Sequence, residues 1–297
     1  MPPNILREIQ QGNERSLARA ISMIENQTTG SLELLKSLPI SKTPVIGFTG
    51  PPGAGKSTVV DILIARFIQQ EKKIAVLCVD PSSPFHAGAF LGDRIRMNRW
   101  TGNPSVFIRS LSSRGALGGL HPRIVEITDL LKAGPFDYIF IETVGIGQNE
   151  IEIAGIADCT VLILTPGSGD EIQGLKSGVL EIADVFVVNK SDYPGAKQFI
   201  SQLESALHMG SKGADIIEMT ATQEKGVEAL VLAIEEKKAS FPSREIQTLT
   251  EKAFRLILAR MKQKIDRASL HQIIARESLS ENFNLYSFVE NYLTGPL

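Results

Sequence analysis

Apolar positions along this 297-residue chain change rhythm twice. Over residues 4–26 they fall at Ile5, Ile9, Leu17, Ile21 and Ile24. That spacing predicts helix, broken near Gly12-Asn13. A more polar stretch, "ENQTTGSLELLKSLPISKTP", follows. Residues 1–40 therefore form a helical N-terminal extension. From residue 44 the rhythm shortens to seven β-branched runs, "PVIGFT", "KIAVLCV", "SVFIRS", "DYIFIET", "TVLILT", "DVFVVNK" and "ADIIEMT", most of them separated by helical patterns. Strands that are apolar without alternation are buried on both faces. Alternating with helices, they predict a mostly parallel sheet over residues 41–240 with helices on both sides. In such sheets ligands gather at the carboxyl ends of the strands.

After residue 241 the strands stop. "REIQTLTEKAFRLILARMKQKI" is an amphipathic helix with Leu249, Ala253, Leu256, Ile257, Met261 and Ile265 along one side. "FNLYSFVENYL" continues with Phe283, Tyr286, Val289 and Leu293 in helical register. Residues 241–297 thus form a helical C-terminal region. Its apolar side either packs on the chain's own sheet or serves as a dimerisation arm.

Composition narrows the class. Apolar residues make up 43 %, enough for a sizeable core, and the formal charge of −2 comes without a long basic run. A nucleic-acid partner is not expected. No apolar run is long enough to span a bilayer, and the N-terminus lacks the apolar core of a signal peptide, so no membrane partner and a cytoplasmic location are expected. The two cysteines, Cys78 and Cys159, sit in strand-like runs as buried thiols, and the four histidines are scattered.

The chemistry begins at "GFTGPPGAGKSTVV". Gly50 to Ser57 satisfy GxxxxGK[ST], between an apolar strand and a helix, which is the context the P-loop motif requires. Gly53, Ala54 and Gly55 let backbone N–H groups turn toward anionic oxygens, and the helix N-terminus adds a favourable dipole. Lys56 is placed for the β- and γ-phosphates, Ser57 for Mg²⁺ and Thr58 for the α-phosphate.

"VVNKSD" ends a later strand with Asn189-Lys190-Ser191-Asp192, an NKxD arrangement. A carboxylate at Asp192 accepts two parallel hydrogen bonds from guanine, at its ring N–H and its 2-amino group. Adenine offers neither there. A site built on such bonds rejects the analogue lacking them by roughly 10⁴–10⁵-fold. Lys190 can lie over the base, and Asn189 can brace neighbouring loops. Thr220, Ala221 and Thr222, ahead of Gly226 and a helix, form a second base loop whose N–H groups can meet the guanine carbonyl. The nucleotide expected is GTP or GDP.

Three acids are expected at one strand-end face: Asp80 in "LCVDPSS", Asp93 in "LGDRIRM" and Glu142 in "YIFIETVGIGQNE". They are candidates for Mg²⁺, which takes one or two carboxylates together with waters and phosphate oxygens. Gly145 can offer its N–H to a γ-phosphate. Arg109, Arg114 and Lys176 are candidate cations for the charge that develops during phosphoryl transfer.

The set "GPPGAGKST", "VDPSSPFHAGAFLGDRIRM", "SRGALGGL", "FIETVGIGQNEIEIA", "TPGSGDEIQGLKSG" and "VVNKSD" resembles the MeaB/ArgK family of P-loop GTPases. The resemblance covers roughly residues 10–240. It implies a homodimeric GTPase chaperone of methylmalonyl-CoA mutase and related cobalamin-dependent acyl-CoA mutases, gating cofactor loading and protecting the mutase. Its hydrolysis would be weak until the partner stimulates it. By that resemblance Asp80, Asp93 and Glu142 match Mg²⁺-linked acids, and Gln173 and Lys176 match a switch loop that responds to the mutase. Lys56, Asp93, Glu142 and Lys176 are thus the expected catalytic set. A metal-insertion GTPase for hydrogenase or urease shares the fold class but calls for clustered Cys and His, which this sequence lacks. A transport-linked ATPase or kinase conflicts with the NKSD segment.

Overall fold

The structure is a computed structural model that describes residues 4–80, 98–113, 120–143, 150–167, 178–209, 215–238, 241–279 and 283–294. Each of the seven apolar runs becomes a strand: β1 (Val45–Thr49), β2 (Ile74–Asp80), β3 (Val106–Ser112), β4 (Tyr138–Glu142), β5 (Cys159–Leu164), β6 (Val185–Val188) and β7 (Asp215–Glu218). They pair in the order β3-β2-β4-β1-β5-β6-β7, every pairing parallel. The chain runs outward from β1 to β3 on one side, returns to insert β4 beside β1, then runs outward through β5 to β7. The crevice at the carboxyl end of β1 is therefore the topological switch point, where this class of sheet binds ligands.

Both faces of the sheet are covered, which is why its strands do not alternate in polarity. On one face Ile46, Phe48, Val76, Phe140, Val161 and Val187 meet helix α4 (Lys56–Gln69), through Val59, Val60, Leu63, Ile64 and Phe67. Leu230, Val231 and Ile234, from a later helix over Val227–Lys238, join the same cluster. On the other face Leu162, Leu164, Phe186 and Val188 meet Phe199, Ile200, Leu203 and Leu207 of a helix over Ala196–Met209. The period of two puts Gly47 on that second face, where a Cβ would stand 2.5 Å from Ile153 Cγ1. Glycine lets the short helix Glu150–Ala154 lie close on β1.

The first residues make three helices, α1 (Ile5–Gln10), α2 (Glu14–Glu25) and α3 (Ser31–Lys36). The break falls at Gly12, whose φ of +84° no β-branched residue would tolerate. Asn13 then caps α2, its Oδ1 accepting from Ser16 N at 3.0 Å. Leu17, Ala20, Ile21 and Ile24 are buried, and α2 lies against a further helix, α5 (Ile124–Lys132).

The chain divides into two compact units, Met1–Leu249 and Thr250–Leu297. The second holds the end of a long helix (Phe241–Lys264) and the helices Arg267–Glu277 and Leu285–Thr294. Phe254, Ile257, Leu258 and Met261 are each about half exposed there, at 48–57 %. Among the described residues, no helix is long and apolar enough to cross a membrane.

Candidate nucleotide site

Gly50 follows β1 with a φ of +141°, and a Cβ on it would stand 2.0 Å from the Ile163 carbonyl of β5. Only glycine lets the loop leave the sheet this closely. Gly55, at φ +88°, is the residue before α4, and a Cβ there would fall 2.4 Å from Asn189 Nδ2. Gly53 faces open space, with no atom within 4 Å of the Cβ position. The loop is thus closed toward the protein and open on the other side, the shape of an anion cradle at a helix N-terminus.

Lys56 turns back over this loop. Its Nζ donates to the carbonyls of Gly50 at 2.8 Å and Pro51 at 3.0 Å. The ammonium is thereby buried within the cradle itself. Thr58, the next residue but one, is exposed. Ser57 is buried, and its hydroxyl donates to Glu142 Oε1 at 2.6 Å. Glu142 reaches that position as the last residue of β4, paired with Phe48 of β1 on one side and Cys78 of β2 on the other. Thr143 prolongs the pairing, its N–H donating to Phe48 O at 3.0 Å and its hydroxyl lying 3.1 Å from Thr49 Oγ1.

A hydroxyl and a carboxylate held together beside a phosphate loop form a fitting partial ligand set for Mg²⁺, which completes its octahedron with waters and phosphate oxygens. Asp80 ends β2 at the same end of the sheet, opposite Ser112; its side chain lies outside the described residues. Asp93, Arg114, Gly145, Gln173 and Lys176 also lie outside them. Among the described residues, no three His, Cys, Asp or Glu side chains gather as a metal site.

The NKSD segment leaves the end of β6. Asn189 is buried and joins three loops: its Nδ2 donates to Ala54 O of the phosphate loop at 2.8 Å, and its Oδ1 accepts from Ala221 N at 3.1 Å. One side chain therefore fixes the phosphate loop, the NKSD loop and the second base loop in one arrangement. The Ala221 amide, expected to face the base, is engaged by Asn189 in this structure. Ser191 adds a second link, with Oγ 3.0 Å from Thr220 Oγ1 and its N–H donating to Met219 O at 3.0 Å. Lys190 takes a left-handed conformation at φ +56°, and its Nζ stands 5.8 Å from the centroid of the Tyr193 ring. Asp192 and Thr222 are both exposed, while Asn189 and Thr220 are buried.

Arg109 is placed elsewhere. It lies midway along β3, opposite Leu77, and its guanidinium pairs with Glu25 and donates to Ser22 Oγ at 3.2 Å. It holds α2 to the sheet. A strand residue three positions short of the carboxyl end cannot serve the crevice, and no periodicity in the sequence signals its partner on α2.

Residues 17–273 match the model of the family described as Methylmalonyl Co-A mutase-associated GTPase MeaB.

The chain belongs to this family, and it is a GTPase.

A "Putative GTPase PYRAB02490" of Pyrococcus abyssi is 37 % identical over 94 % of this chain and 92 % of its own length. "GTPase ArgK" of Escherichia coli is 35 % identical over 77 % of this chain and 73 % of its own. Among solved structures, one described as "LAO/AO transport system kinase" is similar with a TM-score of 0.68 and 25 % identity, covering 98 % of this chain and 90 % of that one. The MeaB match begins within α2 and ends within the helix Arg267–Glu277, so it takes in the whole sheet and part of each helical extension.

Proposed function

We propose that this protein hydrolyses GTP with Mg²⁺, and uses the cycle to time cobalamin cofactor loading and protection of an acyl-CoA mutase of the methylmalonyl-CoA type. The observation that carries the nucleotide half is the Asn189 brace. It joins the NKSD loop to the phosphate loop, so the guanine-reading carboxylate and the phosphate cradle belong to one nucleotide. In this reading the Gly53-Ala54-Gly55 amides and Lys56 hold the β- and γ-phosphates, Thr58 the α-phosphate, and Asp192 the guanine edge. Ser57 and Glu142, joined at 2.6 Å, hold the metal with Asp80 and Asp93. Bound Mg²⁺ supplies charge neutralisation at the phosphates. Lys56 would exchange its two carbonyl partners for phosphate oxygens, so an already buried ammonium gains charged acceptors at little further desolvation. Gly145 and Lys176 take the γ-phosphate-sensing and charge-completing roles. A kinase acting on ATP would leave Asp192 facing an adenine edge that offers it no donor, so the base site supports GTP.

The mutase half rests on the family to which the chain belongs. A homodimer fits the half-exposed row Phe254, Ile257, Leu258 and Met261 on the C-terminal unit, one helical face of apolar side chains at the spacing of a partner-binding stripe. Sedimentation of the full chain as a monomer would remove the dimer. The decisive measurement for function is GTP turnover with and without a cobalamin-dependent acyl-CoA mutase from the same source. Turnover rising with the mutase supports the reading; indifference to every such mutase would end it.

A further inference from the structure

Asp192, assigned above to the guanine edge, sits inside a tight turn whose two ends are Lys190 and Tyr193. The Tyr193 N–H donates to the Lys190 carbonyl at 3.0 Å and closes the turn. The turn is also tied to the sheet. Asn189 N–H donates to Leu164 O of β5 at 2.8 Å, and Ser191 N–H donates to Met219 O at 3.0 Å. Beyond it, Ala196 N–H donates to the Tyr193 carbonyl at 3.3 Å as the helix Ala196–Met209 begins. Both main-chain groups of Tyr193 are therefore engaged, and none of these ties uses its side chain. The ring is half exposed, at 53 %, and Lys190 Nζ stands 5.8 Å from its centroid. That distance is within reach of a cation–π attraction.

Lys190 holds φ +56°, in the left-handed region that an L side chain adopts at a cost and glycine adopts freely. Glycine would make the same turn without strain, so the turn alone does not account for a lysine. What lysine adds is a four-carbon stem ending in a charge. The stem is apolar enough to cover the face of a purine, while the charge favours water or the face of an aromatic ring. Left free, such a side chain samples many rotamers and loses that freedom when a base arrives. The Tyr193 ring gives the ammonium a resting place at the far end of the same turn. With its Cα fixed by the turn and its Nζ near the ring, the stem spans from one end of the Asp192 turn to the other.

We propose that Tyr193 is a positioning residue for the base site. Its ring holds the Lys190 ammonium and so keeps the Lys190 stem in place to cover one face of the guanine whose edge Asp192 reads. Tyr193 thereby adds affinity through the purine face and leaves the reading of the 2-amino group to Asp192. The proposal rests on the base-site reading above.

The test uses the full chain with Tyr193→Leu, Tyr193→Phe, Lys190→Ala and the double variant Tyr193→Leu/Lys190→Ala. GTP turnover gives kcat and KM, and competition binding compares GDP with inosine diphosphate, whose base lacks the 2-amino group. Tyr193→Leu keeps the main-chain ties and removes the aromatic face. It is expected to weaken GDP and to raise KM for GTP, each about three- to fivefold, with kcat unchanged within about twofold. Tyr193→Phe keeps the aromatic face and should stay within about 1.5-fold of the unaltered protein. In the Lys190→Ala background, Tyr193→Leu should change GDP affinity no further, because the partner it acts through is already gone. The preference for GDP over inosine diphosphate should hold in both Tyr193 variants, since Asp192 is untouched. Unaltered GDP affinity in Tyr193→Leu overturns the proposal, as do additive losses in the double variant or a Phe variant as weak as the Leu one. A fall in the preference over inosine diphosphate also overturns it, because Tyr193 would then act through Asp192. An unaltered protein that binds ATP as tightly as GTP removes the base-site reading, and this inference with it. A GTP preference together with additive losses removes this inference alone.

Discussion

At the amino ends of the strands, three carboxylates each accept from a backbone amide of the neighbouring strand. Asp137 takes Lys73 N at 2.8 Å, Asp158 takes Val45 N at 2.8 Å and Asp184 takes Thr160 N at 2.9 Å. Each also returns its own N–H to the same residue's carbonyl at 2.8 Å. Tyr138 lies at this end as well. Burial, with the charges of Glu235 and Asp137 adding to it, holds its phenol above the ordinary value. At the carboxyl ends the acids and amides do something else. Glu142 meets a hydroxyl, Asn189 joins three loops, and Asp192 stands exposed. One end closes the strand ladders with charged acceptors. The other leaves polar groups arranged around a crevice. A carboxylate at a strand end is therefore not in itself a sign of chemistry; which end it occupies decides.

Substitutions at the two ends should separate accordingly. The largest effect is expected at Asp192. Asp192→Asn should lower the preference for GTP over xanthosine triphosphate by about 10³-fold or more, because an amide donates where guanine's 2-amino group donated. Competition binding measures it, and a retained GTP preference would refute the base assignment. Next is Asn189→Ala, which strands Ala54 O and Ala221 N. It should cost about 2–3 kcal/mol in a denaturant titration and weaken GDP as well, since two loops lose their common tie. Stability lost with GDP affinity intact would separate the brace from the site. The smallest is Asp184→Ala at the opposite end. Here about 1–2 kcal/mol of stability should go, with kcat and KM for GTP unchanged within about twofold. A fall in kcat there would blur the distinction between the two ends.

Much of this was legible from the chain. All seven strands lie within a residue or two of their apolar runs, because strands buried on both faces have no alternation to confuse them. The P-loop and NKSD segments declared phosphate and guanine because each needs consecutive residues on one turn. The acids at the amino ends were less visible, although Ile-Ala-Asp precedes both β5 and β6 and could have signalled them. Arg109, a candidate for the crevice on sequence grounds, is a strut for α2.

The fold class and the P-loop and NKSD motifs are readable from the sequence, since they are written in local periodicity and contiguous residues. Which residues accompany those motifs depends on how the chain folds. Glu142 meets Ser57 because β4 inserts between β1 and β2. Asn189 meets Ala54 across 135 positions and Ala221 across 32. Asp61 holds Trp100 from 39 residues away. Contacts between distant positions depend on strand order, and strand order has no local signature; it is fixed when the chain closes those long loops and buries both faces of the sheet.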